Sequence, residues 1–530
     1  MTTLPIYAHG MWIPPGPPNP PPVTRATLRH SPFKRLDISQ VFADRPGGDL
    51  LLRRSRNLAT GIGKLADETL TEIFGMVIEM LKLRKSSAFE IEWRFLLFIC
   101  SRWRTIMIDT ASFWSSIWFD WHPSLVQLFA SRSRNHALKL HTARGISHED
   151  SERTNASEVI ASNAARITCL KVIWTDCDAG PLDSAFADLN EFISQKQTAS
   201  FPRLTDAVFV SYDCIHIDQD FLDVHAPKLQ RLRLGGVQLN AESWSALTQL
   251  TDLHLDCRGS LENEDILRVL EKVSHLRSCK IITESEYMEG HIRTPHSPGR
   301  IDMKSLERLT INHLKWPAVR DIVDHLSIPP MARIELVVRW EGEFGVDVLF
   351  APLIAPRMLL YDTLKVTPKT ITLTSEDHSG FLNVRVFEWC WSEDEYLSEA
   401  VIDFISDSPT IFPHLVVLIL VKFPESPDGP HDIILRSALA VLPHLCELSV
   451  LRSEDADCVF RAFENEKLLC PRLSCLDLQD SFYSLELLLE FVRDRRSRGA
   501  MIECLEIDEE IDDHALVSLI RSEVGELVEA

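Results

Sequence analysis

The sequence predicts an α/β protein in which a small N-terminal helical module precedes a long array of stacked strand and helix units. Three observations lead there: a proline-rich start, two apolar stripes at helical spacing between residues 65 and 108, and a recurring L-x-x-L-x-L pattern beyond about residue 160. A chain of 530 residues is long enough for several domains or for one repeat body. Apolar residues at 45% and charged residues at 25% are ordinary for folded proteins, so most of the chain is expected to fold.

Residues 1–60 are expected to form a Pro-rich, disordered tail. "MWIPPGPPNPPPV" at 11–23 lacks the N–H groups that helices and ladders need, so an extended polyproline conformation follows. The start "MTTLPIYAHGMW" has neither the basic residues nor the apolar run of a secretory signal. "LVVLILVKF" at 415–423 is far too short for a membrane span. A net charge of −22 argues against general affinity for phosphate backbones. Neither a membrane nor a nucleic acid is therefore expected as a partner. Twelve cysteines occur without a C-x-x-C pair, and the spacing of Cys470 and Cys475 suits neither a zinc knuckle nor a redox dithiol. Free thiols, no metal and no cofactor are expected, as in a protein of the cytoplasm and/or nucleus.

The helical module is expected over residues 61–125. In "LADETLTEIFGMVIEMLK", Leu70, Ile73, Phe74, Val77, Ile78 and Leu81 share one helical face, with Asp67 as the cap. A second helix is predicted over 89–108, where Leu96, Ile99, Cys100, Trp103, Ile106 and Met107 form another stripe and Arg102, Arg104 and Asp109 lie off it. Two short helices cannot bury such faces alone. They need a third helix, a partner, or both.

Residues 126–530 are expected to be an irregular leucine-rich repeat solenoid with a C-terminal cap at "EIDEEIDDHALVSLI". The pattern reads "ITCLKV" at 167, "LQRLRL" at 229, "LTDLHL" at 250, "LRSCKI" at 276, "LERLTI" at 306, "LVVLIL" at 415, "LCELSV" at 445, "LSCLDL" at 473 and "IECLEI" at 502. Several units start with proline, as in "APKLQRL" and "CPRLSCL". Alternation of the last leucine-type positions with polar residues suits strands with one buried face. "AESWSALTQ" and "NEDILRVLEKV" read as helices between strands. Val237 occupies the slot that asparagine usually fills after the strand, so no continuous asparagine ladder is expected. The stretch 340–410 fits the period poorly, with "KTITLTS" and "LNVRVFEW" as its candidate strands.

"LADETLTEIF" followed by "FICSRWRTIMIDTASFWSSI" resembles the F-box motif, in the version found in fungal F-box-like proteins that carry a leucine-rich repeat region. Leu65 and Glu68 match Leu-Pro-x-Glu, with Ala66 in place of the proline. Ile99, Cys100, Arg102, Trp103 and Arg104 match the second block, and Trp114 the tryptophan beyond it. The resemblance implies an α/β fold with an F-box-like module and a repeat solenoid. It implies a non-enzymatic substrate-recognition subunit of a Skp-cullin-F-box type ubiquitin ligase, with a Skp-type adaptor, and through it a cullin, as partners. It assigns adaptor contact to Leu65, Leu70, Ile73, Phe74, Ile99 and Trp103. Packing alone is the other role open to these side chains. The alternative function is a noncatalytic leucine-rich repeat interaction scaffold without ubiquitin chemistry.

Catalytic motifs are lacking. "GIGK" at 61–64 misses the glycine spacing and the hydroxyl residue of a phosphate loop, "HTARGISHED" at 141–150 misses H-E-x-x-H, and no G-x-S-x-G occurs. The repeat strands instead present polar residues between their leucines. Arg231, Arg233, Lys280 and Arg308, with Asp252 and His254, give a mixed-basic stretch, and Glu447, Asp477, Glu506 and Asp508 an acidic one. Arg231, Arg233, His254, Lys280, Arg308, Glu447, Asp477 and Glu506 are the candidate contacts to a protein substrate, whose basic segment would face the acidic end.

Overall fold

The computed structural model describes residues 57, 59–83, 93–119, 121–142, 159–174, 201–217, 226–239, 244–245, 247–257, 263–282, 299–340, 361–375, 381–388, 397–407, 412, 414–423, 431–464, 467–508 and 513–529. The predicted proline-rich tail lies outside them almost entirely. The chain divides into two compact units, Met1–Met107 and Ile108–Ala530. That division precedes the boundary expected after residue 125, because "SIW" at 116–118 joins the sheet of the second unit.

In the first unit, helix α1 (Asp67–Leu83) buries Leu70, Phe74 and Ile78 and leaves Ile73, Val77 and Leu81 half-buried, as the stripe requires. Asp67 is the first helical residue rather than a cap, and its carboxylate accepts from Arg102 Nε at 2.8 Å. Arg102 also donates to the carbonyls of Gly63 at 2.6 Å and Leu65 at 2.5 Å, which fastens the 3-10 turn Ile62–Lys64 to the helix start. The single helix predicted over 89–108 is broken among the described residues. A 3-10 turn (Trp93–Phe95) leads into α2 (Leu96–Ile99), Cys100 is extended at φ −157° and ψ 167°, and α3 (Ser101–Asp109) restarts the helix. The break redirects the stripe, so Ile99 is exposed while Ile106 and Met107 are buried.

Among the described residues the second unit holds a 17-stranded sheet. Its strands pair in the order β1 (Ser116–Trp118), β2 (Leu138–Thr142), β3 (Ile167–Trp174), β4 (Asp206–Ile217), β5 (Arg231–Leu239), β6 (Asp252–Asp256), β7 (Ser278–Ile282), β9 (Arg308–Lys315) and β11 (Arg333–Trp340), all parallel. The short β8 (Ile301–Asp302) and β10 (Leu326–Ser327) pair separately. Then the order reverses: β11 pairs with β14 (Phe381–Glu388), β14 with β13 (Thr370–Thr374), β13 with β12 (Thr363–Thr367), and β12 with β15 (Val417–Val421). The β12–β13 and β13–β14 pairings are antiparallel. Parallel order resumes through β16 (Glu447–Leu451), β17 (Cys475–Asp477), β18 (Cys504–Ile507) and β19 (Glu526–Glu529). The misfit across 340–410 is thus a three-stranded antiparallel insertion, turned at Pro368–Lys369, where Thr367 Oγ1 accepts from the Thr370 N–H at 2.9 Å.

Each L-x-x-L-x-L stretch folds as one lead-in turn and one strand. In "APKL" the Leu229 N–H donates to the Ala226 carbonyl at 3.1 Å, with proline at the second turn position where its fixed φ fits. Leu415, Leu445 and Leu473 repeat the bond to Phe412, Leu442 and Cys470. "FPRL" does so at Leu204 to Phe201, the start of a unit whose strand, "LTDAVF", lacks the L-x-x-L-x-L leucines. The strand leucines then point inward: Leu232 and Leu234, Leu253 and Leu255, Leu448 and Val450 are buried. Burial of each such side chain stabilises by about 1.5–3 kcal/mol. Late in the strand or just past it one residue takes a left-handed conformation, at Gly236 and His313 within β5 and β9 and at Lys422, Arg452 and Asp480 beyond β15, β16 and β17. The next residue re-enters the interior in every case, as Val237, Leu314, Phe423, Ser453 and Ser481. These fill the asparagine slot. Where it is polar, Ser481 Oγ donates to the Val450 carbonyl at 2.8 Å and accepts from the Ser453 N–H at 3.0 Å.

Helices α4 (Pro123–Arg132), α5 (Asn263–Lys272), α6 (Trp316–His325), α7 (Leu397–Asp407), α8 (His431–Ala440), α9 (Asp457–Phe463), α10 (Leu485–Ser497) and α11 (His514–Glu523) connect strands, and α7 through α11 pack each on the next. "NEDILRVLEKV" is α5, as predicted, while "AESWSALTQ" falls mostly outside the described residues.

Candidate functional site

The polar face of the sheet is built by register. Because side chains alternate along a strand, residues aligned on neighbouring strands form lines across one face. One line runs Asp206, Arg231, Asp252, Ser278, Arg308 and Arg333; the next, two residues along each strand, runs Lys171, Val208, Arg233, His254, Lys280, Thr310 and Glu335. The structure therefore brings together Arg231, Arg233, His254, Lys280 and Arg308 on consecutive strands. Arg231 pairs with Asp206, and that hydrogen bond, followed by the Asp206 charge, raises its pKa. Arg333 pairs with Glu335 at 2.9 Å and lies over the Phe381 ring at 4.2 Å. Lys171, at the same offset in its L-x-x-L-x-L unit as Arg233, was not among the candidates. Its place in "ITCLKV" was the available signal.

His254 stands between Arg233 and Lys280. Burial, then the charges of Arg233 and Lys280, lower its pKa to about 4, so the ring is neutral at pH 7. Its Nε2 is shielded from solvent and has no hydrogen-bond partner.

The acidic candidates form a second group. Glu447 aligns with Cys475, Cys504 and Glu526, and Ser449 with Asp477 and Glu506. Burial first, then Asp477 and Glu506, raises the Glu447 pKa. Burial also raises that of Asp477, and Asp508 adds to it, while hydrogen bonds from Gln479 and Ser449 oppose the rise. The Gln479 amide donates to Glu506 at 3.2 Å. The in-register thiols of Cys475 and Cys504 share this face, with Cys475 pushed up to about 12 by burial, Cys504 and the neighbouring carboxylates. Strands β11, β14, β13, β12 and β15 lie between the groups. At ~4.8 Å per strand this is about 30 Å along the sheet, so the eight candidates fall into two separate groups rather than one.

The adaptor candidates of the first unit divide by burial. Leu70 and Phe74 are interior, Leu65, Ile73 and Trp103 are half-buried, and Ile99 is 48% exposed. Trp103 packs on Phe74 with ring centroids 4.7 Å apart. Among the described residues of this unit the exposed large apolar side chains are Ile62, Met76, Met80, Phe95, Phe98 and Ile99. The methionines were missed because they lie off the helical stripe. In the second unit Trp114 and Trp121 both pack edge-on against Phe129, at 4.9 and 4.6 Å, Arg132 covers Trp114 at 4.4 Å, and Trp118 stacks on His141 at 4.7 Å. Indoles of "WSSIWFDW" thus pack at the β1 end of the sheet.

Among the described residues no group of three or more His, Cys, Asp or Glu side chains could hold a metal ion, and no helix is long and apolar enough to cross a membrane. His141 belongs to β2, and the rest of "HTARGISHED" past Thr142 lies outside the described residues. Described cysteines are free thiols, with Cys257, Cys279, Cys458 and Cys470 buried.

No protein-family profile matches the chain, and no curated protein matches it. A solved structure of a Bacteroides fragilis protein from a structural genomics programme is similar over 71% of this chain and 76% of its own, at 12% identity and a TM-score of 0.18.

Proposed function

We propose that the chain is a noncatalytic substrate receptor of a Skp-cullin-F-box type ubiquitin ligase, whose second unit is an irregular leucine-rich repeat solenoid holding a protein ligand. The observation that carries the reading is the F-box-like sequence in the first unit, together with the exposed Met76, Met80, Phe95, Phe98 and Ile99 there. Exposed apolar groups of this size favour a partner surface over solvent. The repeat reading is supported by the recurring turn, strand and left-handed residue, and by the polar lines across the sheet. Such a face offers many side chains to a ligand without any catalytic geometry.

The test is copurification of the full chain with a Skp-type adaptor. Wild type is expected to retain it, and Phe98→Glu plus Ile99→Glu to lose at least tenfold of the captured adaptor with unchanged circular dichroism. Leu70 is a poor choice for this test, since a charge at a fully buried site unfolds the helix pair. A folded wild type that captures no adaptor supports the scaffold reading instead.

A further inference from the structure

Cys475 on β17 and Cys504 on β18 are Cα partners on adjacent parallel strands. In-register partners lie one strand spacing apart, about 4.8 Å, inside the roughly 4.4–6.8 Å between Cα atoms that a disulfide spans. Register also fixes the face, so the two side chains stand side by side on the polar side of the sheet. A hydrogen bond with the Cys504 side chain helps to hold the proton on Cys475. Both residues are half-buried, so a small reagent has access to the sulfurs. Among the described residues no other pair of cysteines combines these properties. Cys257, Cys279, Cys458 and Cys470 are buried, the neighbours of Cys169 across its ladders are Lys139 and Asp206, and the Cys446 thiol donates to the His444 carbonyl at 3.4 Å.

Carboxylates border the pair on every side that the sheet offers. Glu447 is the neighbour of Cys475 on β16, and Glu526 that of Cys504 on β19. Asp477 and Glu506 follow two residues along the same two strands. Strands β16 to β19 contain no lysine or arginine. Burial, then Cys504, Glu447 and Glu506, push the Cys475 thiol up to about 12, so its sulfur stays protonated at pH 7 and is a poor first nucleophile.

We propose that Cys475 and Cys504 form an oxidisable dithiol that closes to a cross-strand disulfide by exchange with a small cationic disulfide. The Cys504 thiolate attacks one sulfur of the reagent, a new S–S bond forms as the old one breaks, and the leaving thiolate takes up the proton that Cys504 lost. Cys475 then attacks the Cys504 sulfur of this mixed disulfide, and its proton passes to the second departing thiolate. Two electrons pass from the protein pair to the reagent, which leaves as two thiols, so no other co-reactant is needed. The second step is fast because the neighbouring strand holds Cys475 beside its target. The carboxylates set the class of reagent: they repel an anionic disulfide and concentrate a cationic one. Closure staples β17 to β18, a pairing three residues long whose strands are joined through α10. The inference needs neither an adaptor nor a bound protein, so it stands apart from the proposed function.

The test treats the reduced full chain with cystamine or with glutathione disulfide at low ionic strength and reads unreduced tryptic peptides by mass spectrometry. Each cysteine is alone in its peptide, 473–493 and 499–521, so the bond is seen directly as a crosslinked pair. The folded wild type is expected to give this pair, and cystamine to form it about tenfold or more faster than glutathione disulfide, a preference lost in the urea-unfolded chain. Cys475→Ser should accumulate a stable mixed disulfide on Cys504, whereas Cys504→Ser should leave Cys475 unmodified over the same time. Absence of the crosslinked pair from the folded wild type overturns the dithiol, and that result needs no variant. Equal rates with the two reagents overturn the cationic class. Modification of Cys504→Ser as fast as that of Cys475→Ser overturns the order of attack.

Discussion

Glu447 keeps its carboxylate half-buried near Asp477 and Glu506, and every one of those influences favours the protonated form. Its folded pKa is raised above the unfolded value, so the ionised group costs stability at neutral pH, and that cost disappears as pH falls through the folded pKa. Glu447→Gln should therefore raise the denaturant midpoint at pH 7, by about 0.5 kcal/mol for a solvent-screened group, and leave it unchanged near pH 3.5. A midpoint lowered at pH 7 would show that the carboxylate holds a stabilising partner instead. The acidic residues themselves were legible from alternation, but the raised pKa was not, because it depends on strands 28 to 30 residues apart falling into one register. The carbonyl contacts of the arginines were not legible for the same reason. Arg102 and Arg104, off the predicted stripe, donate to the carbonyls of Gly63, Leu65 and Leu97, and Arg166 and Arg436 donate likewise to Ala130 and Arg461. Helix ends leave such carbonyls without partners, and a guanidinium is shaped to take several.

At the scale of the element, the repeat was legible because it needs only local chemistry: proline at a turn, leucines at fixed offsets, and alternation along a short strand. Every strand placed by L-x-x-L-x-L is present among the described residues. The left-handed residue was not legible, since Gly236, His313, Lys422, Arg452 and Asp480 share no side-chain type. The backbone demand is shared instead. L-residues pay about 1–2 kcal/mol in this conformation, and β-branched ones suffer most. Lys422, at φ 57° and without an ion pair among the described residues, isolates the effect. Lys422→Val should destabilise the second unit by about 1–2 kcal/mol, whereas Lys422→Gly should be neutral or stabilising, read as shifts of the thermal midpoint. Equal losses from both substitutions would mean that the lysine side chain, and not its φ, matters. The break of the second helix at Cys100 shows the opposite limit: its apolar spacing was continuous, and the spacing alone did not reveal the turn.

Across the second unit, each strand bonds only to its immediate neighbours, and helices α7 through α11 pack in the same succession. Stability in such an arrangement is a sum of local terms and neighbour terms, so damage should stay near its origin. Arg495 provides the means to test this. It is 1% exposed, and its guanidinium donates to the carbonyls of Ala500 at 3.2 Å, Leu469 at 3.0 Å, Cys470 at 3.0 Å and Leu473 at 3.2 Å, joining α10 to the lead-in turn of β17. Burial lowers its pKa, but the carbonyl fork keeps the charge solvated by dipoles. Arg495→Met strips the guanidinium from those carbonyls and leaves Cys470 with only the Leu473 N–H, a loss of about 3 kcal/mol or more, and Arg495→Lys restores little because an ammonium cannot span the fork. In hydrogen exchange of Arg495→Met, the amides of Leu476 on β17 and Leu505 on β18 should lose protection while those of Leu253 on β6 and Ile281 on β7 keep it. The antiparallel insertion between β11 and β15 lies between these regions, and a long sheet held strand by strand has no other route for the loss to travel. Uniform loss over β6, β7, β17 and β18 would instead make the unit one cooperative body, in which damage at any one strand is felt along the whole sheet.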